Sequence, residues 1–139
     1  MTGLRGSDVI ASSKTQTREN QLIDDVLSYA EDPAGFVSYI FPWGEPGTAL
    51  EHEEGPDTWQ IEALDYLAGQ LTGTTDAIRM ALASGHGIGK SAWMAWLILW
   101  FMSTKPHPQV PVTAGTATQL TTKTWRELAK WHKLALNSH

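Results

Sequence analysis

An α/β fold is predicted for this chain, and three observations predict it. The segment Ser84-Gly85-His86-Gly87-Ile88-Gly89-Lys90-Ser91 fits a phosphate-binding pattern of Gly, four free positions and Gly-Lys-Ser/Thr, with Ser84 in the first glycine position. Just before it, residues 76–83 place Ile78, Met80 and Leu82 on one face at the two-residue period of a strand. Just after it, residues 92–102 form an apolar run. Strand, glycine loop and helix in that order is the arrangement the motif requires.

The remaining elements are read from local pattern. Residues 1–16 are polar and rich in Ser, Thr and Gly, and read as a flexible arm. Residues 17–55 read as a helical extension and loop. A first helix over 17–30 carries Leu22, Val26, Tyr29 and Ala30 as a stripe, with Ile23 and Leu27 beside it. Asp32-Pro33 reads as N-cap and first-turn proline of a second helix, which shows Phe36, Val37 and Ile40 and stops at Pro42. The loop at 43–55 is rich in Gly, Pro and Glu. Asp57 opens a third helix with Ile61, Leu64, Leu67, Ala68 and Leu71 on one face. After the strand and the loop, the helix at 92–102 is apolar on every side and is predicted to be buried all round, with Trp93, Trp96 and Trp100 in the core. Residues 109–114 read as a second short strand, which Pro111 confines to a strand start or an edge. Thr116 or Thr118 caps a final helix to about Leu136, with Leu120, Thr124, Leu128, Trp131 and Ala135 aligned.

Composition bounds the function classes. The 139 residues suffice for one ordinary domain, and 42% are hydrophobic against 18% charged. With no cysteine there is neither a disulfide framework nor a thiolate metal site. The apolar run at 92–102 is shorter than the roughly 18 residues a membrane span needs, and the N-terminus lacks the apolar segment of a signal peptide. The net charge of −5 conceals an asymmetry: residues 1–76 hold 14 acids and 3 bases, residues 77–139 hold 1 acid and 7 bases. A basic half suits polyanionic partners such as nucleotides or nucleic acid, although on charge alone two solvated surfaces of opposite sign are the better reading.

The loop carries the chemistry. Its small residues, Gly85, Gly87 and Gly89, let backbone N–H groups turn inward around phosphate oxygens, with His86 and Ile88 between them. The next helix aims its positive end at the same anion. Lys90 is placed to reach the β- and γ-phosphates, and the Ser91 hydroxyl to ligate Mg²⁺. Trp59-Gln60 lies upstream of the first strand. The Gln60 amide both donates and accepts, which suits an adenine edge, yet Asp57-Thr-Trp-Gln60 equally fits a capping box. Thr113, Ala114 and Gln119 fall where the second strand gives way to its helix, the end of a sheet at which ligands bind, while helix capping and surface exposure explain them more simply. Lys123, Arg126, Lys130 and Lys133 share one side of the last helix; they read first as a solvated face paired with Glu127, and second as phosphate contacts. Glu51-His-Glu-Glu54 has no distant partner to close a metal site and reads as solvated.

Taken together, Asp32-Pro-Ala-Gly-Phe-Val, Phe41-Pro-Trp-Gly-Glu-Pro-Gly47, Gly55-Pro-Asp-Thr-Trp-Gln60, Ala83-Ser-Gly-His-Gly-Ile-Gly-Lys-Ser91 and Thr113-Ala-Gly-Thr-Ala-Thr-Gln119 resemble the start of a tailed-phage terminase large subunit. The resemblance covers nearly everything after about residue 30. It implies a P-loop NTPase fold of the ASCE/RecA-like kind, incomplete over residues 56–139. It implies ATP and Mg²⁺ as cofactors, with Gly85–Ser91 as the Walker A loop and Lys90 as its catalytic lysine. Gln60 and Trp59 then match the adenine-recognition element, and Thr113, Ala114 and Gln119 a segment coupling ATP state to DNA. The implied activity is ATP hydrolysis driving viral DNA into procapsids. The implied partners are double-stranded phage DNA, the portal protein, the terminase small subunit and further copies of the motor, in the host cytoplasm and transiently at the portal.

Two departures qualify the resemblance. His86 stands where many relatives carry an arginine that assists catalysis, and histidine is shorter and mostly neutral at pH 7. No apolar strand ending in Asp-Glu comes after Ser91, and no nuclease domain is present. The chain is therefore expected to be a truncated, split or fragmentary motor that binds ATP and hydrolyses it poorly. A helicase-like P-loop ATPase and a non-enzymatic remnant are the alternatives.

Overall fold

The computed structural model describes residues 6–73, 89–113 and 115–136, and all the regular structure among them is helical. The helices are α1 (Gly6–Ser28), α2 (Pro33–Ile40), α3 (Thr58–Gly73), α4 (Lys90–Thr104), α5 (Ala117–Gln119) and α6 (Arg126–Leu134), with a π-helical stretch, Leu120–Trp125, joining the last two. No strand occurs among the described residues, which overturns the predicted α/β fold and the P-loop NTPase assignment of residues 56–139. The predicted strand at 109–114 is absent over its described part, 109–113, which is neither helical nor paired. Pro111 removes a backbone donor there, and the alternating Val110 and Val112 have no neighbouring strand among the described residues to complete a ladder. The predicted strand at 76–83 and positions 84–88 of the loop lie outside the described residues, as does Ala114.

Helix α1 starts at Gly6, eleven positions before the predicted Thr17, so it takes in residues 6–16 of the predicted arm. Side chains one turn apart bond to one another or to the backbone along its outer turns. Thr17 Oγ1 donates to the Ser13 carbonyl at 2.9 Å, and Gln21 Nε2 to Asp25 Oδ1 at 2.9 Å. Val26 is buried, Leu22 and Tyr29 pack against the core, and Ile23 and Leu27 remain exposed.

Helix α2 forms as predicted. The Asp32 carboxylate accepts from the Gly35 N–H at 3.0 Å, and Pro33 opens the first turn where its missing donor costs nothing. Phe36, Val37 and Ile40 are fully buried. Tyr39 donates to Asp25 Oδ2 at 2.9 Å and so ties α2 to α1. Partial burial, and then this bond, hold the Tyr39 phenol above its ordinary pKa.

Helix α4 is the central element. Trp93, Trp96 and Trp100 recur at three and four residues and are all buried, as predicted. Burial is not all round, however: Met94 is 42% and Met102 49% exposed. The far end of α4 closes α1. Trp100 Nε1 donates to the Tyr29 carbonyl at 2.7 Å, and Lys105 Nζ to the Ala30 carbonyl at 2.6 Å, satisfying carbonyls that a helix end leaves open.

The C-terminal helix folds back onto α4. Thr116, rather than Thr118, is the N-cap, accepting from the Gln119 N–H at 3.1 Å. The predicted stripe is kept across the π stretch, although its turns are wider than those of an α-helix. Leu120, Thr124 and Leu128 are half-buried, Trp125 is exposed, and Trp131 and Ala135 are buried. Trp131 meets Trp96 edge-on at 5.1 Å and Phe41 at 4.9 Å, and Trp43 packs at 5.8 Å from both tryptophans. The Leu136 N–H donates to the Ile40 carbonyl at 3.0 Å, seating the end of this helix on α2.

Candidate nucleotide-binding site

Of the loop residues predicted to bind a nucleotide, Gly89, Lys90 and Ser91 are described, whereas Gly85, His86, Gly87 and Ile88 lie outside the described residues. Gly89 is the N-cap of α4, with φ +89° and ψ 22°. That left-handed conformation favours glycine, because a side chain would crowd the next carbonyl. It turns the chain into the helix so that Lys90 and Ser91 form the first turn. Lys90 is half-buried and Ser91 exposed. The backbone N–H groups of a first turn have no partner within the helix, and they lie at the positive end of its dipole.

Helix α3 is clasped to this point by Gln60, which is only 5% exposed. The Asp57 N–H donates to Gln60 Oε1 at 2.8 Å, so the capping interaction expected for Asp57-Thr-Trp-Gln60 is formed. The same amide reaches across to α4: Gln60 Nε2 donates to the Gly89 carbonyl at 3.0 Å. Trp93 Nε1 returns a bond to the Gln60 carbonyl at 3.2 Å. Trp59 is half-buried and packs against the hydrophobic core. The sequence marks Trp93 only as core. Its role in the clasp has no sequence signal, because it depends on two helix starts meeting across a separation of 33 positions.

Beside the clasp runs a largely apolar groove of about 710 Å³ between α3, α4 and residues 109–113. Leu67 and Leu71 line one wall, Lys90 and Met94 another, and Val112 and Thr113 the third. Thr113, predicted to couple ATP state to DNA, thus shares a groove with Lys90. Gln119, predicted with it, is exposed at the end of α5 and does not line the groove. A second depression, of about 660 Å³, opens at the start of α3 and is lined by Glu53, Glu54 and Asp57. Its carboxylates disfavour an anionic ligand, so between the two the Lys90 groove is the one suited to phosphate.

The donor set fits the implied cofactors. An alcohol such as Ser91 is an ordinary single protein ligand for Mg²⁺, which takes its remaining ligands from water and phosphate. Glu51, His52, Glu53 and Glu54 are all exposed, and no group of three or more His, Asp or Glu poised to hold a metal occurs among the described residues. Lys123, Arg126, Lys130 and Lys133 are exposed along the last helix, and Lys130 Nζ lies 3.8 Å from Glu127 Oε1. No helix among the described residues is long and apolar enough to cross a membrane. Comparison with family models, with curated proteins and with solved structures yields no match.

Proposed function

We propose that this chain binds ATP with Mg²⁺ at the start of α4, as the nucleotide-binding part of a terminase-type viral DNA-packaging motor. One observation carries the nucleotide site. The Gly89-Lys90-Ser91 junction of the phosphate-binding pattern is a left-handed glycine leading into a helix, with the lysine and the hydroxyl on its first turn. This junction lies within the described residues, whereas the strand the motif calls for ahead of the loop, at 76–83, lies outside them. The motor context rests on the resemblance of five sequence segments to the terminase large subunit. Double-stranded phage DNA, the portal protein, the small subunit, assembly with further copies and a place in the host cytoplasm belong to that context.

The chain's own residues divide the work. Gly89 turns the backbone so that the α4 N–H groups face the ligand. The Lys90 ammonium offsets charge on the β- and γ-phosphates, and Ser91 provides a hydroxyl ligand for the cation. Bound Mg²⁺ neutralises phosphate charge and bridges phosphate oxygens. Residues 92–139 hold no pair of carboxylates ending an apolar strand, so a group that orients an attacking water is not among them. The Lys90→Ala variant tests the site. Titration calorimetry is expected to show ATP affinity at least about tenfold weaker, the scale of one charge-assisted hydrogen bond. Unchanged affinity would remove the assignment.

A further inference from the structure

Gln60 does more than cap its own helix. Its amide is anchored at one end by the Asp57 N–H (2.8 Å) and at the other holds the Gly89 carbonyl (3.0 Å). Reversing the amide would set donor against donor and acceptor against acceptor, so its orientation is fixed. The Gly89 carbonyl also accepts from the Trp93 N–H at 3.0 Å, so both of its lone pairs are engaged. That carbonyl belongs to the residue immediately before Lys90, where a free acceptor oxygen would repel a phosphate. The fit is also close: a Cβ on Gly89 would lie 2.6 Å from Gln60 Nε2.

We infer that Gln60 is a positioning residue for phosphate binding, acting through the Gly89 carbonyl, and does not read the nucleotide base. The inference rests on the reading of Lys90 and Ser91 as phosphate ligands. Held by two donors, the Gly89 carbonyl points away from the ligand and fixes the peptide from which the first turn of α4 starts. The pre-set turn then spends no binding energy on ordering itself when the anion arrives. A base reader must reach the ligand with a donor and an acceptor, and Gln60 is only 5% exposed, with one donor and one acceptor of its amide already bonded to backbone. Recognition at this site is accordingly of the triphosphate, with adenine and guanine nucleotides taken alike.

The test is Gln60→Met, a neutral substitution of matched length. ATP, GTP and inorganic tripolyphosphate, each with Mg²⁺, are titrated calorimetrically below the melting temperature of the variant. The wild type is expected to bind ATP and GTP with similar affinity, and the variant to lose about tenfold for all three ligands, the scale of a hydrogen bond. Loss confined to ATP would overturn the inference and make Gln60 an adenine reader. No loss for any ligand would overturn it by reducing the clasp to a purely structural contact. Asp32→Ala supplies the structural control: it removes the cap of α2, outside the clasp and the groove, and lowers stability without touching the amide bond to Gly89. It should leave tripolyphosphate affinity unchanged, and an equal loss there would count against a specific role for the amide. If Gln60→Met does not fold, Gln60→Asn, too short to reach Gly89, is compared in the same way. Failure of the underlying site is separately visible, because Lys90→Ala would then bind tripolyphosphate as the wild type does, and the role of Gln60 would fall with the site.

Discussion

Gly89 carries two constraints that a single methyl group would violate. Its φ of +89° lies where L side chains crowd the backbone, and the Gln60 amide occupies the space a Cβ would need. Gly47, also left-handed at φ +83°, has nothing within 4 Å of a Cβ, so it bears the first constraint alone. The two glycines therefore separate backbone strain from the clasp. Gly47→Ala is expected to cost about 1 kcal/mol of stability from conformation alone, and Gly89→Ala about 2–3 kcal/mol once the Gln60 bond is displaced as well. Urea unfolding followed by tryptophan fluorescence measures both. Equal costs would show that Gln60 moves aside freely and that the clasp contributes little.

At the scale of elements, local chemistry decides where helices begin, and the cap of α2 is the clearest instance. The Asp32 carboxylate satisfies the Gly35 N–H, and α2 then buries Phe36, Val37 and Ile40 completely. Asp32→Ala should destabilise the chain by about 1 kcal/mol, and Asp32→Asn, which keeps an acceptor, by much less; thermal unfolding of the pair checks this. Such caps are legible in the sequence because they rest on bonds between residues three apart. Asp32-Pro33, Asp57 with Gln60, and Thr116 as one of two candidates are all visible there, as are the core positions of α2 and the tryptophans of α4. The apolar alternation of Val110 and Val112 misleads, because a strand exists only with a partner and periodicity carries no information about one. The π stretch at Leu120–Trp125 is equally hidden. A template of 3.6 residues per turn already marks the inward positions Leu120, Thr124, Leu128, Trp131 and Ala135, so nothing in the pattern reports the wider turns between them. At the candidate site, the junction Gly89-Lys90-Ser91 can be read from its motif. The bond from Gln60 to Gly89 spans 29 positions and depends on how two helices pack, which no local pattern encodes.

For the molecule as a whole, the closing interactions are aromatic and long-range. Phe41 and Trp43 leave α2, Trp96 faces them from the middle of α4, and Trp131 completes the group from α6. Trp96 Nε1 is buried with no hydrogen-bond partner among the described residues, a cost that ring packing on its other faces must offset. Trp131 contributes apolar area and packs on the rings of Phe41, Trp43 and Trp96, while its own Nε1 donates to Glu127 at 2.9 Å within α6. Truncating it should therefore expose a cavity beside Trp96 without stranding a buried polar group. Trp131→Ala is expected to cost about 3–5 kcal/mol, a large part of the stability of an ordinary domain. Because α6 packs on α4 and the Leu136 N–H binds the Ile40 carbonyl, that loss should emerge as one cooperative transition at a lower urea midpoint with unchanged slope. A reduced slope, or early loss of helix signal with the remaining tryptophan fluorescence intact, would mean that α6 unfolds separately and that the core formed by α1–α4 stands without it. The distinction bears on the site, because the packing of α6 holds one face of the helix whose other end carries Lys90 and Ser91.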